Sequence, residues 1–153
     1  MRENHLWNSV RDVQFKVSDD ILPGFDVDFD DRICEETKDA LMQFAYWVED
    51  HFAMPVTLWV DFKYNHYLVD QAGKRVGYKF YWVDFEDYPV FTNWDDLPVI
   101  ELAVRTENRS LEAVLRSFAE AISHYYIWLS NQDPRNYQPD PDMVEEILSA
   151  YRN

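Results

Sequence analysis

Three segments of the chain repeat their apolar residues at the spacing of an amphipathic α-helix. The first covers about residues 32–52, with Asp31 placed to cap it and Glu35 and Glu36 in its first turn. The second begins at 108 or 109 and ends near 131. A third, shorter helix is predicted over about residues 140–151.

Between the first two helices, apolar and polar residues alternate, which is the period of a half-buried β-strand. Residues 56–64 and 76–82 both alternate, and a turn at 70–74 separates them, so we expect them to pair as a β-hairpin with a long loop. Residues 99–105 form a third predicted strand. A short strand is also predicted at 13–17, and residues 19–31, which contain six aspartates, are predicted to be a loop.

The predicted order of helix, three strands, helix and helix defines an α+β layered domain. No internal repeat, low-complexity tract or linker divides the sequence, so residues 1–153 are expected to form a single domain. A chain of this length can bury a true hydrophobic core.

The composition and net charge limit the kinds of molecule that the chain is expected to bind. Hydrophobic residues make up 47% and aromatic residues 17%, which is too apolar for a disordered chain despite the net charge of -15. That charge repels nucleic-acid phosphates and anionic membranes and attracts basic proteins. A simpler explanation is that the charge keeps an aromatic-rich protein soluble. No apolar signal region or membrane-spanning run is present, so we expect a cytoplasmic protein.

Cys34 precedes two glutamates, which predicts a buried thiol with a raised pKa.

The second helix carries two different faces. One is an apolar core stripe, and the other combines Glu120 and His124 with the small residues Ala113, Ser117 and Ala121 and with Trp128. An ordinary solvated face would show mostly Lys, Glu and Arg. We therefore expect the second face to be at least partly covered, either lining a groove or packing against another element.

The stretch SFAEAISHYYIW, residues 117–128, resembles the active-site helix of minimal zincin-type metallopeptidases, in which H-E-x-x-H is followed by aromatic residues. The strand at 99–105 and the helix start at 110–115 match the same pattern. The resemblance implies a zincin-like fold with an N-terminal helix, a small antiparallel sheet, a motif-bearing helix and a C-terminal helix.

The resemblance also implies a degenerate zinc site. In the family, two histidines bind Zn²⁺ and the glutamate takes a proton from the metal-bound water. Here Glu120 replaces the first histidine and Ala121 replaces the glutamate, and only His124 is retained. Loss of the base removes about 10²–10⁴-fold of rate, which predicts an inactive scaffold with no cofactor. Glu120 and His124 can alternatively pair with each other, or hold Zn²⁺ together with a third ligand from among Asp133, Asp140, Asp142 and Glu145.

Residues 81–96 interleave aromatic and acidic side chains, and two residues of the first predicted strand share its non-core face. A surface on which acidic residues surround aromatic side chains is suited to binding a partner rich in Arg and Lys. The simpler alternative is a hairpin with one buried and one solvated acidic face. The predicted protein-binding residues are Trp59, Asp61, Trp82, Asp84, Glu86, Asp87, Tyr88, Trp94, Asp95 and Asp96.

Together these features predict a non-catalytic acidic binding protein. The most specific form of this prediction is an inhibitor or immunity-type protein that neutralises a basic partner, such as a nuclease or another nucleic-acid-binding protein. Two alternatives remain open: a metal-dependent hydrolase that uses Glu120 and His124, and a structural subunit of a larger assembly.

Overall fold

Six strands and three helices make up the part of the chain that the structure describes. The structure is a computed structural model, and it describes residues 24–84, 96–105, 107, 109–130 and 139–152. None of the helices in these ranges is long and apolar enough to cross a membrane. In chain order the elements are β1 (Phe25–Phe29), α1 (Glu35–His51), β2 (Leu58–Lys63), β3 (Leu68–Val69), β4 (Arg75–Val76), β5 (Tyr78–Asp84), β6 (Asp96–Ala103), α2 (Leu111–Leu129) and α3 (Pro141–Arg152).

The main sheet is mixed, with the strand order β1-β2-β6-β5. β1, β2 and β6 run parallel to one another, and β5 is antiparallel to β6 at the edge. The α+β class predicted from the sequence is confirmed. The prediction of an antiparallel sheet is wrong for this main sheet, because only its β5–β6 pair is antiparallel.

The predicted hairpin between residues 56–64 and 76–82 is also wrong, because β6 lies between the two strands. The predicted turn at 70–74 does form, with Gly73 at a φ of 81°. It joins the short strands β3 and β4, which make a separate antiparallel pair. Alternation identifies a strand and its buried face, but the choice of neighbour depends on contacts far away in the chain.

β1 lies within the segment that was predicted to be a loop. Phe25, Val27 and Phe29 alternate with aspartates and pack against the core. Gly24 directly precedes the strand. Its φ of 58° suits glycine, and a Cβ there would overlap the carboxylate of Glu49. That carboxylate accepts a hydrogen bond of 2.8 Å from the backbone N–H of Phe25, so α1 anchors the start of β1. The strand predicted at 13–17 lies outside the described residues.

Cys34 does not occupy the buried position that its neighbours predicted. It is exposed at the N-cap of α1, the place expected for Asp31. Its Sγ lies 3.2 Å from Thr37 Oγ1, and this hydrogen bond lowers the pKa of the thiol instead of raising it. The prediction was wrong because the donors at the start of the helix act on the sulfur more strongly than the nearby acidic charge.

α2 is the centre of the hydrophobic core. Its Phe118 ring contacts the rings of Phe25, Phe44 and Phe62, with centroids 5.3–5.5 Å apart. These contacts join α2 to β1, α1 and β2. The second face of this helix is covered as expected, since Ser117, Ala121, His124 and Trp128 are all buried.

Two tyrosines of α2 fix the segment that leads from α1 into β2. The hydroxyl of Tyr125 donates to the carbonyl of Val56 at 2.5 Å and accepts from the N–H of Val56 at 3.3 Å. The hydroxyl of Tyr126 donates to the carbonyl of Ala53 at 3.1 Å. Both side chains are fully buried, so each hydroxyl supplies a partner to backbone groups that are shielded from water.

Replacing Tyr125 by Phe should destabilise the fold. Both polar groups of the Val56 backbone would lose this partner, and a buried unsatisfied polar group costs about 1–3 kcal/mol. We expect chemical denaturation to show a loss of this size in the free energy of unfolding. Tyr46→Phe is the matched control, because Tyr46 is 58% exposed on α1 and should tolerate the change. Equal stability of the two variants would contradict the role assigned to the Tyr125 hydroxyl.

Candidate protein-binding surface

The side of the main sheet that faces away from the helices, here called the outer face, carries most of its charge in one row. Residues in register on neighbouring strands share a face of the sheet. One such row joins Asp28, Asp61 and Glu101, and ends at Lys79. We call the three acids the carboxylate row.

The carboxylate row opposes the stability of the sheet, because like charges directly opposite each other repel. Two contacts offset this repulsion. Lys63 Nζ lies 3.2 Å from Asp61 Oδ2, and the hydroxyl of Tyr81 donates to Glu101 Oε2 at 2.6 Å. Burial lowers the pKa of Lys63, but the Asp61 hydrogen bond and the surrounding carboxylate charges outweigh burial and raise it. The negative charge around the row therefore more than compensates for the partial burial of the Lys63 ammonium.

The row next to it is aromatic and apolar apart from one acid. It runs from Asp26 on β1 through Trp59 and Val99 to Tyr81 on β5. A groove of about 370 Å³ opens over the two rows, and we call it the outer groove. Its lining includes Asp26, Asp28, Trp59, Asp61, Tyr81, Val83 and Val99.

Only part of the predicted binding set lies on this surface. Trp59 and Asp61 are on the outer face, where they line the outer groove. Trp82 lies on the opposite face and packs against the core, so it does not share a surface with them. From the sequence, Trp82 was placed in the aromatic and acidic segment 81–96, a surface that Trp59 and Asp61 were expected to extend. The assumed hairpin gave no register between β2 and β5, so their faces could not be matched.

The rest of the predicted set lies in or beside the connection between β5 and β6. The backbones of Asp84 and Asp96 pair at the ends of these two strands, and their side chains are outside the described part of the structure. The remaining members also lie outside the described residues: Glu86, Asp87, Tyr88, Trp94 and Asp95.

Four residues of the outer face were not predicted from the sequence to be binding residues. Asp26 and Asp28 were assigned to a loop, although the alternating apolar residues of FDVDF were a sign of a strand. Tyr81 belonged to the segment 81–96 but was not among the predicted binding residues, and Glu101 was assigned only to a strand. Their hydrogen bond crosses from β5 to β6, which the predicted pairing of β5 with β2 did not bring together.

The Glu120–His124 pair lies on the other side of the sheet, where α2 packs against β5. The His124 imidazole is buried and its Nε2 is 2.9 Å from the hydroxyl of Tyr78. The ring of Phe80 is stacked at 6.3 Å. Burial and the charge of Glu120 together raise the pKa of the Tyr78 hydroxyl. The imidazole is thus part of a packed interface between helix and strand.

Glu120 is half-buried beside two arginines. Burial raises the pKa of its carboxyl, and the charges of Arg116 and Arg109 only partly counteract that effect. The guanidinium of Arg109 is held by other partners, donating to the carbonyl of Ala103 at 2.5 Å and to Ser117 Oγ at 2.6 Å. The folded state therefore favours the neutral form of this carboxyl relative to the unfolded chain.

Two of the candidate third zinc ligands, Asp140 and Glu145, have other roles in the structure. Asp140 caps α3 by accepting from the N–H groups of Asp142 and Met143 at 3.0 and 3.3 Å. Glu145 forms an ion pair of 2.7 Å with Arg116. Asp133 lies outside the described residues. Among those that are described, no three His, Cys, Asp or Glu side chains form a group suited to a metal ion.

Comparison of this chain with models of protein families, with curated proteins and with solved structures finds no match. The function is therefore argued from the geometry and charge of the outer face and from the packing of α2.

Replacing Glu120 by Gln should raise stability at neutral pH. A carboxyl whose pKa is raised by folding favours the folded state when protonated and loses that contribution as the pH rises through its folded pKa. Gln stays neutral at every pH, so its advantage should be present at pH 7 and shrink as the pH falls towards the ordinary glutamate value of 4.5. Thermal unfolding across this range measures the effect. A variant that is less stable than the parent at pH 7 would refute the buried-charge argument.

Proposed function

We propose that this chain is a non-catalytic binding protein that engages a basic protein through the outer face of its sheet. The carboxylate row is the observation that carries the proposal. Three acids in register across three parallel strands cost the sheet stability, and residues that oppose stability are typical of functional surfaces. A cationic partner would convert this repulsion into attraction.

The geometry of the row favours an extended basic surface as partner. Neighbouring strands lie about 4.8 Å apart, so the three carboxylates form a short line of closely spaced negative charges. A channel that binds nucleic acid presents closely spaced Lys and Arg side chains to phosphates. We propose that the chain occupies such a channel and neutralises its owner, in the manner of an inhibitor or immunity-type protein. The net charge of -15 would steer the encounter.

The packing of α2 supports the non-catalytic part of the proposal. We propose that the scaffold is zincin-like and that its motif is degenerate. Ala121 occupies the position of the general base and is fully buried, and His124 is hydrogen-bonded to Tyr78 within the interface with β5. A hydrolytic zinc site needs an imidazole that points at a metal and a base within reach of the bound water.

Neutralising the carboxylate row should weaken capture of the partner. The test uses a triple variant, Asp28→Asn, Asp61→Asn and Glu101→Gln, as bait for proteins from the source cells at low and high salt. Loss of three surface ion pairs should weaken binding about tenfold or more. High salt should weaken the capture by the parent chain as well, because it screens exposed charges.

A second triple variant provides the control for net charge. Glu36→Gln, Asp39→Asn and Asp50→Asn remove the same number of charges from exposed positions on α1. This control should still capture the basic partner. Equal loss in both variants, or capture that does not respond to salt, would contradict recognition by the outer face.

Metal analysis of the purified protein tests the hydrolase alternative. We expect substoichiometric zinc in the parent and no change in Tyr78→Phe or His124→Gln, because both variants alter a packing contact and not a metal ligand. Stoichiometric zinc that is lost in His124→Gln but retained in Tyr78→Phe would overturn the non-catalytic assignment.

A further inference from the structure

We infer that the outer groove is a receptor for the guanidinium group of an arginine side chain presented by the basic partner. This inference rests on the proposed function and adds to it the chemical group that the surface selects. It depends on the aromatic walls of the groove as well as on its charge.

The two aromatic walls stand on either side of one strand. Trp59 on β2 and Tyr81 on β5 are both in register with Val99 on β6, which lies between them and is buried. Their Cα atoms are therefore about 9.6 Å apart, twice the spacing of neighbouring strands. The hydrogen bond to Glu101 fixes the Tyr81 ring from its hydroxyl end. The floor at Val99 is thus apolar, and both aromatic side chains line the groove.

Carboxylates adjoin this aromatic site on two sides. Asp26 is in register with Trp59 on the neighbouring strand, and Asp61 follows Trp59 by two residues on the same face. Asp26 and Asp28 are both exposed to solvent. A guanidinium that enters the groove can therefore lie over the indole while it donates hydrogen bonds to a carboxylate beside it.

This combination favours arginine over lysine. Guanidinium is planar and weakly hydrated, and it can stack on an aromatic ring while donating two parallel hydrogen bonds to a carboxylate. An ammonium is a strongly hydrated point charge and gains less from a flat wall. The chain's own ammonium group is that of Lys63, which contacts Asp61. Along β2, Lys63 follows Asp61 by two residues, whereas Trp59 precedes Asp61 by two. Asp61 and Trp59 both line the groove.

The test compares arginine and lysine homopeptides of equal length, titrated into the full chain by calorimetry. The parent should bind the arginine peptide about tenfold more tightly, because guanidinium can stack on a ring while it pairs with a carboxylate and ammonium gains less from the ring. Trp59→Leu should remove this preference and leave the affinity for the lysine peptide unchanged. Asp26→Asn should weaken both peptides. Tyr46→Leu, which removes an exposed aromatic ring from α1, should change neither.

The outcomes separate this inference from the proposed function. If both peptides bind with equal affinity, or Trp59→Leu keeps the preference, the arginine receptor is refuted while binding of basic proteins stands. If neither peptide binds, the arginine receptor is refuted. The proposed function is refuted as well only if the capture experiment also finds no basic protein. Dimerisation of the parent that Trp59→Leu abolishes would assign the groove to a second copy and overturn the inference.

A second readout does not depend on the stability of the Trp59→Leu variant. The indole N–H resonance of Trp59 can be assigned in the parent from a conservative Trp59→Phe variant. It should shift on addition of the arginine peptide and much less with the lysine peptide. An indole resonance that is unmoved by the arginine peptide would refute contact with Trp59.

Discussion

The burial of α2 on nearly all sides is the constraint on which the rest of the structure depends. One side of the helix packs on β1, β2, β5 and β6, and the other sides pack on α1 and α3. The aromatic contacts of Phe44 with Phe118 and with Tyr151 join all three helices in one layer. Because this layer covers the inner side of the sheet, the strands can carry alternating charged residues only on the outer face.

The same burial explains what residues 117–128 do in this fold. Tyr125 and Tyr126 bind the backbone of the α1–β2 connection, and the ring of Trp128 stacks on Tyr125 at 6.2 Å. His124 is packed between Tyr78 and Phe80. These aromatic residues therefore have a structural role that does not require catalysis. The small residues Ala121 and Ser117 allow the close approach of helix and sheet.

Charged residues reduce the stability of the fold on both sides of the sheet, for different reasons. The carboxylate row places like charges opposite one another at the surface, where solvent and Lys63 reduce the repulsion. Glu120 instead loses part of its hydration between α2 and β5, and the neighbouring arginines recover only some of it. A surface repulsion can be relieved by a cationic partner, whereas the cost of burying Glu120 is relieved only by protonation or substitution.

The sequence by itself determined the three helices, the strands that alternate clearly and the α+β class, because periodicity is a local property of the chain. It also identified Trp59 and Asp61 as non-core residues of one strand. Only the tertiary structure decided that β6 separates β2 from β5, that FDVDF is a strand, and that Asp28, Asp61 and Glu101 form one row. Strand order and register arise from contacts between residues far apart in sequence, such as those that Phe118 makes with Phe25 and Phe62. A pattern along the chain specifies which face of a strand is polar, but not which polar faces lie side by side.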